Sequence, residues 1–221
     1  MSNSMRHLAI ICDGNRRWAA EHGLEGRMGH TAGLVAIERA CEWAIDRLEY
    51  LTIFCFSTEN WNRSTEEVDG LMTLARDYFS NRKDWYLERG IKVQAYGRRD
   101  RFPKDLLQCL DELEEITKAC SRLTLTVCVD YGGRDEIVRA ARTASIGELS
   151  EEGISRKLNM RFPDPEMIIR TGGMHRLSNF LLWQAAYSEL YFTDVLFPAL
   201  NWAELDKAME WFEVQKRNFG R

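Results

Sequence analysis

The sequence predicts an α/β fold, a mainly parallel sheet flanked by helices, in a single domain spanning residues 1–221. Short apolar runs at 8–11, 51–56, 91–96, 123–129 and 167–169 have the length and composition of buried strands. Segments of helical period lie between them, near 30–48, 64–89, 103–121 and 133–144, so strands and helices alternate as βαβ units do. No low-complexity linker or internal repeat divides the chain, and 221 residues are enough for one substantial core.

Each element has a local reason. The run Arg6-His7-Leu8-Ala9-Ile10-Ile11 reads as the first strand, and a helical pattern begins soon after Asp13-Gly14-Asn15. His30, following Gly29, opens the first long helix. Ser64 with Glu67 three residues on is a capping-box start for the next. Val68, Leu71, Met72, Ala75, Tyr78, Phe79, Trp85 and Tyr86 then recur along one face. Asn201 and Glu204 open the last helix, whose apolar positions include Leu205, Ala208, Met209 and Phe212.

Composition narrows the function. The net charge of −4 supplies no global basic field for nucleic acid, so any anion site must be local. None of the six cysteines forms a CxxC pair, which fits free thiols in a reducing, cytoplasmic setting better than a disulfide framework or metal cluster. Residues 1–5 are short and polar, unlike a signal peptide, and no apolar run approaches the ~20 residues of a membrane span.

In open α/β sheets ligands sit beyond the carboxyl ends of the strands. Three polar clusters fall there. Cys12-Asp13-Gly14-Asn15-Arg16-Arg17-Trp18 puts a carboxylate beside backbone N–H groups and fixed positive charge, which suits a metal-bound phosphate or diphosphate; Asp-Gly-Asn also suits a plain turn. Phe56-Ser57-Thr58-Glu59-Asn60-Trp61-Asn62-Arg63 can bind a polar head while its aromatics touch an apolar tail, or serve as a capped strand-to-helix turn. Arg170-Thr171-Gly172-Gly173, with Arg176 and Ser178, reads as a second anion cradle, or as a loop with solvated arginines. Glu189 is a lone acid in an apolar segment and could join Asp13 in a sparse Mg²⁺ site, or form an ordinary ion pair. His30 and Arg27 could face the first cluster.

Several blocks in order then carry a resemblance: Asp13-Gly14-Asn15-Arg16-Arg17-Trp18-Ala19; Gly29-His30 with Ala32-Gly33; Phe56-Ser57-Thr58-Glu59-Asn60-Trp61 with Arg63; Asp130-Tyr131-Gly132-Gly133-Arg134-Asp135-Glu136-Ile137; Arg170-Thr171-Gly172-Gly173 with Arg176-Leu177-Ser178-Asn179-Phe180; and Trp183-Gln184 with Glu189-Leu190-Tyr191-Phe192. The chain resembles the cis-prenyltransferases of the undecaprenyl diphosphate synthase type over nearly its whole length. The resemblance implies a homodimer, with a six-stranded, mainly parallel sheet flanked by helices around an apolar tunnel. It implies Mg²⁺-assisted condensation of isopentenyl diphosphate with an allylic diphosphate such as farnesyl diphosphate. The lipid product would bring peripheral membrane contact.

By resemblance, Asp13 is the catalytic acid and a magnesium ligand, and Glu189 completes the metal site. Gly14, Asn15, Arg16, Arg17, His30 and Arg63 cradle the allylic diphosphate, with Arg27 nearby. Trp18, Ser57, Thr58, Glu59 and Trp61 shape the substrate site. Asn60 stands at the proton-acceptor position, where a neutral amide is better suited to positioning. Arg170, Arg176, Leu177 and Ser178 hold isopentenyl diphosphate. The chain departs from the pattern at Met174 (usually glutamate), Gly26 (commonly arginine), Asn218 (arginine in the terminal Arg-x-Gly) and Cys55 (often alanine), and it is short near 145–150. These changes leave product length open. Three other readings stay beside the leading one: a short-chain or head-to-middle synthase of the same fold, a non-catalytic prenyl-diphosphate-binding subunit, and a phosphate-ester hydrolase, which lacks an evident nucleophile–base pair.

Overall fold

Six strands, β1 (His7–Ile11), β2 (Tyr50–Ser57), β3 (Ile91–Tyr96), β4 (Leu123–Tyr131), β5 (Met167–Arg170) and β6 (Glu189–Phe192), form one sheet in the order β3-β4-β2-β1-β5-β6. The computed structural model describes residues 5–158 and 162–217. All five pairings are parallel, where the sequence led us to expect a mainly parallel sheet. The central strand β1 is buried throughout, so both its faces are apolar. Leu8 and Ile10 point into the main core, while Ala9 and Ile11 point into a second cluster on the opposite face.

Among the described residues eight α-helices accompany the strands, the last following β6: α1 (Asn15–Glu21), α2 (Gly26–Ala44), α3 (Thr65–Asn81), α4 (Lys83–Glu88), α5 (Lys104–Thr117), α6 (Gly133–Thr143), α7 (Glu151–Lys157) and α8 (Trp202–Glu213). The main core joins one sheet face to α2, α3, α5 and α8 through residues such as Trp43, Phe79, Leu113 and Phe212. On the other face, Phe54 stacks on Phe180 with ring centroids 4.5 Å apart, and α6 packs with α7 around Ala140 and Ile154. Ser64 and Asn201 cap α3 and α8 as expected, accepting from the backbone N–H groups of Glu67 and Glu204.

Two expectations need correcting. The segment 64–89 is two helices, broken at Arg82, whose φ of −114° leaves the helical region. Tyr78–Phe79 and Trp85–Tyr86 are seven residues apart, so the apolar period runs through the break and conceals it. His30 does not open a helix either: α2 begins at Gly26, and His30 lies in its second turn. The chain can start there because Gly29 rides directly on α1, where an added Cβ would meet the Asn15 carbonyl oxygen at 1.9 Å.

Under the main face, the sheet, α2, α3 and α5 enclose an apolar cavity of about 90 Å³. Ile37, Leu71, Phe79, Leu106, Leu110 and Val129 line it, and Asn15 and His30 border it with polar atoms. Cys12 and Cys55 also border it. Cys55 sits where the β2–β4 register shifts between Phe54 and Phe56. Its exposed atoms face this space, yet burial still pushes its thiol up to about 12, so the group stays protonated at neutral pH.

Candidate active site

The three polar clusters converge at the carboxyl ends of the strands. Ile11 pairs with both Phe54 of β2 and Arg170 of β5, so the segments following these strands start side by side. The chain turns out of β1 through Gly14, at φ 109°, into α1. The Asp13 backbone is pinned on both sides. Its N–H donates to Thr171 Oγ1 at 3.0 Å, and its carbonyl accepts from Phe197 N at 3.0 Å.

The Asp13 carboxylate is held between two arginines. Arg17 Nη2 lies 3.0 Å from Oδ1, and Arg170 Nη2 lies 2.9 Å from Oδ2. Arg170 is almost wholly buried, and its Nη1 donates to the Arg176 carbonyl at 2.6 Å and Ser178 Oγ at 2.7 Å. Its Nε is buried without a hydrogen-bond partner among the described residues. Arg17 also donates to the Gly172 carbonyl at 2.8 Å. Gly172, at φ 81°, leaves room for this: an added Cβ would meet Arg17 Nη2 at 2.4 Å.

The segment after β2 folds as a 3₁₀ turn, Thr58–Asn62. Asn60 Oδ1 accepts from Ser57 N at 3.0 Å, so its carbonyl oxygen is occupied in closing the turn. Trp61 packs edge-on against Phe56 at 5.4 Å and donates from Nε1 to Asp130 at 2.9 Å. Arg101 pairs with Asp130 and lies over the Trp61 ring. Burial pulls the Glu59 carboxyl upward, but hydrogen bonds from Asn179, Ser57 and Thr58 outweigh it and hold its pKa below the usual value. Arg63 pairs with Glu67 at 2.8 Å, and Arg16 approaches the same carboxylate at 3.7 Å. His30 Nε2 and Asn15 Oδ1 are buried and have no hydrogen-bond partner among the described residues. Burial, aided by the Arg63 charge, lowers the His30 pKa and keeps the imidazole neutral.

The structure therefore brings Asp13, Arg17, Arg170, Ser178 and the Arg176 carbonyl together, and Asn15, His30 and Arg16 around the cavity and its adjoining groove, where Arg63 pairs with the groove residue Glu67. Other residues lie around this centre. Trp18 stacks on His22 at 4.1 Å and lines a groove with Arg17, Gly172 and Gly173. Arg27 is exposed, pairs with Glu25 at 3.0 Å, and lines the same groove as Arg16 and His30. Leu177 packs against the second core. Glu189 opens β6 opposite Met167, at the level of Leu8. Asp13 follows Ile11, which lies three residues beyond that level, roughly 10 Å along the strand direction. Asn218 lies outside the described residues.

A family model described as "Putative undecaprenyl diphosphate synthase" matches residues 11–220. The chain belongs to this family. It is 46% identical to an isoprenyl transferase of Aquifex pyrophilus, over 97% of this chain and 95% of that one. It is 43% identical to an isoprenyl transferase of Fusobacterium nucleatum, over 99% and 96% of the two chains. Among solved structures it resembles lavandulyl diphosphate synthase from Lavandula x intermedia, in complex with dimethylallyl diphosphate, with a TM-score of 0.94 and 33% identity over 99% of both chains. It also resembles a probable undecaprenyl diphosphate synthase from Campylobacter jejuni, with a TM-score of 0.86 and 31% identity over 99% of this chain and 100% of that one.

The Asp13 carboxylate could serve as an oxygen ligand for a divalent cation. Among the described residues no group of three His, Cys, Asp or Glu side chains could hold a metal by itself. Mg²⁺ takes one or two carboxylates and completes its shell with phosphate and water, which a single partly exposed aspartate allows. No described helix is long and apolar enough to cross a membrane. Sequence reasoning missed Thr171, Glu67, Asp130 and Arg101 as supports of the site. Their roles are long-range pairings, and the only local signal was a polar residue beside a strand end.

Proposed function

We propose that this prenyltransferase joins the allylic carbon of an allylic diphosphate to isopentenyl diphosphate, giving a Z-prenyl diphosphate and free diphosphate, with the proton lost from isopentenyl diphosphate carried off by the departing diphosphate. The observation that carries the reading is Asp13, gripped between Arg17 and Arg170 at the joined ends of β1 and β5, beside an apolar cavity. Asn15, Arg16, Arg17, His30 and Arg63 hold the allylic diphosphate, with Gly14 giving the backbone its close approach. The unpartnered His30 Nε2, which can donate to a phosphate oxygen, supports that assignment, since buried polar atoms need partners. Arg170, Arg176 and Ser178 hold the second diphosphate.

Breaking the allylic C–O bond builds negative charge on the departing diphosphate. The fixed guanidinium groups are already oriented to stabilise it. The apolar cavity keeps water from the electron-poor carbon, and it is the start of the channel into which the product grows. Ser57, Thr58, Glu59 and Trp61 shape the region between head and tail, and Asn60 orients it rather than accepting the proton, because its oxygen is already engaged. Mg²⁺, when bound with substrate at Asp13, supplies additional neutralisation of diphosphate charge. Glu189 completes that metal site, within the homodimer the family resemblance implies.

The test is incubation with isopentenyl diphosphate, Mg²⁺ and allylic diphosphates of five, ten and fifteen carbons, with mass analysis of the products. Products heavier by whole five-carbon units support the reading, and no joined product from any primer refutes it.

A further inference from the structure

The loop between β5 and β6 contains three non-glycine residues in the left-handed region within four positions: Ser178 at φ 50°, Asn179 at φ 65° and Leu181 at φ 44°. Such backbone is unfavourable for residues with a Cβ and persists where neighbours over-determine it. Asn179 supplies much of that determination. Its carbonyl accepts from Gly133 N at 2.7 Å, its Oδ1 accepts from Arg134 N at 2.9 Å, and its Nδ2 donates to Glu59 Oε1 at 2.8 Å. One residue thus touches the start of α6 and the turn after β2. An added Cβ on Gly132 would meet Thr58 Oγ1 at 2.5 Å and Asn179 Nδ2 at 2.7 Å, so the three segments close on each other with no spare space. On its other side, Ser178 Oγ holds Arg170.

A continuous line of contacts therefore runs Asp13–Arg170–Ser178–Asn179–Glu59. We infer that Asn179 is a positioning residue that fixes the Arg170–Ser178 loop against the Ser57–Trp61 turn, and so sets where the isopentenyl diphosphate lies relative to the allylic substrate. The inference rests on the proposed condensation. The bond to Arg134 N is a helix cap, and a purely structural role would need nothing more. The bond to Glu59 is the one that couples the two loops.

Two variants separate these roles. Asn179→Asp keeps an oxygen for Arg134 N and tolerates the left-handed backbone, but sets a carboxylate against Glu59. Combining it with Glu59→Gln exchanges donor and acceptor and restores the contact. The expected result for Asn179→Asp is a KM for isopentenyl diphosphate raised about 10-fold, a lower kcat, and an allylic KM within about 2-fold of wild type. Its melting temperature should stay within about 4 °C. The double variant should recover at least half of the lost kcat/KM on a logarithmic scale. Any other pattern in an active wild-type background overturns the inference and leaves the proposed function standing: unchanged kinetics, no recovery in the double variant, or both KM values moving together with a large loss of melting temperature. Absence of condensation by the wild type would instead overturn the proposed function, and this inference with it.

Discussion

Arg170 Nη2 lies 2.9 Å from Asp13 Oδ2, tying the end of β5 to the segment that leaves β1. The arginine is buried and takes its charge partner from this carboxylate, which Arg17 also holds from the other side. Arg170→Ala should raise the KM for isopentenyl diphosphate by about 10–100-fold, the worth of one charge-assisted hydrogen-bonding group. Steady-state kinetics with the allylic substrate saturating would show this, and an unchanged KM would remove Arg170 from the binding role assigned to it.

Metal removal should separate activity from fold. In the proposed reaction Mg²⁺ enters with substrate at Asp13, so the fold is expected to stand without it. Chelation should abolish product formation, added Mg²⁺ should restore it, and the melting temperature without substrate should stay within about 2 °C. A large fall in melting temperature on chelation would point to a structural metal instead.

Cys55 occupies a register shift of β2 and faces the cavity. Cys55→Ala removes one heavy atom from the wall and should shift the product distribution toward longer chains, whereas Cys55→Leu should shorten it. Mass analysis of the products reads both. Identical distributions in all three proteins would show that the cavity wall at this position does not limit growth.

Glu136 gives a pH-dependent term in stability. It accepts hydrogen bonds from Tyr96, from Tyr131 at 2.6 Å and from Gln184 at 3.2 Å. Burial pushes its pKa up to about 7, against the lowering effects of Gln184 and Arg139. Between pH 4.5 and 7 the folded chain therefore binds more protons at this site than the unfolded chain, and stability from Glu136 is lost as pH rises. Over that range the loss amounts to about 3 kcal/mol. Glu136→Gln, neutral at every pH, should flatten this limb in melting curves taken across that range. An equal slope in both proteins would contradict the assignment.

Much of this architecture is legible in the chain. The alternation of apolar runs with helical segments fixes a parallel α/β sheet, and the topological rule for such sheets puts the clusters after β1, β2 and β5 at one rim. Arg170 meeting Asp13 across 157 residues follows from β1 and β5 being neighbours, but only the coordinates show that they are. Strand β6 has only four residues at a sheet edge, too few to give a period, and it emerged through the family resemblance alone. The break at Arg82 was hidden because the apolar spacing continues across it. The contact of Asn179 with Glu59 spans 120 residues and joins two irregular segments, where no periodicity exists to read.

Diphosphate release, measured beside incorporation of labelled isopentenyl diphosphate, tests the paired-diphosphate centre around Asp13 and Arg170 most directly. The account predicts release only when both substrates and Mg²⁺ are present, with one diphosphate freed for each five-carbon unit joined. Release from the allylic diphosphate alone at the same rate, or no release with both substrates present, would contradict it.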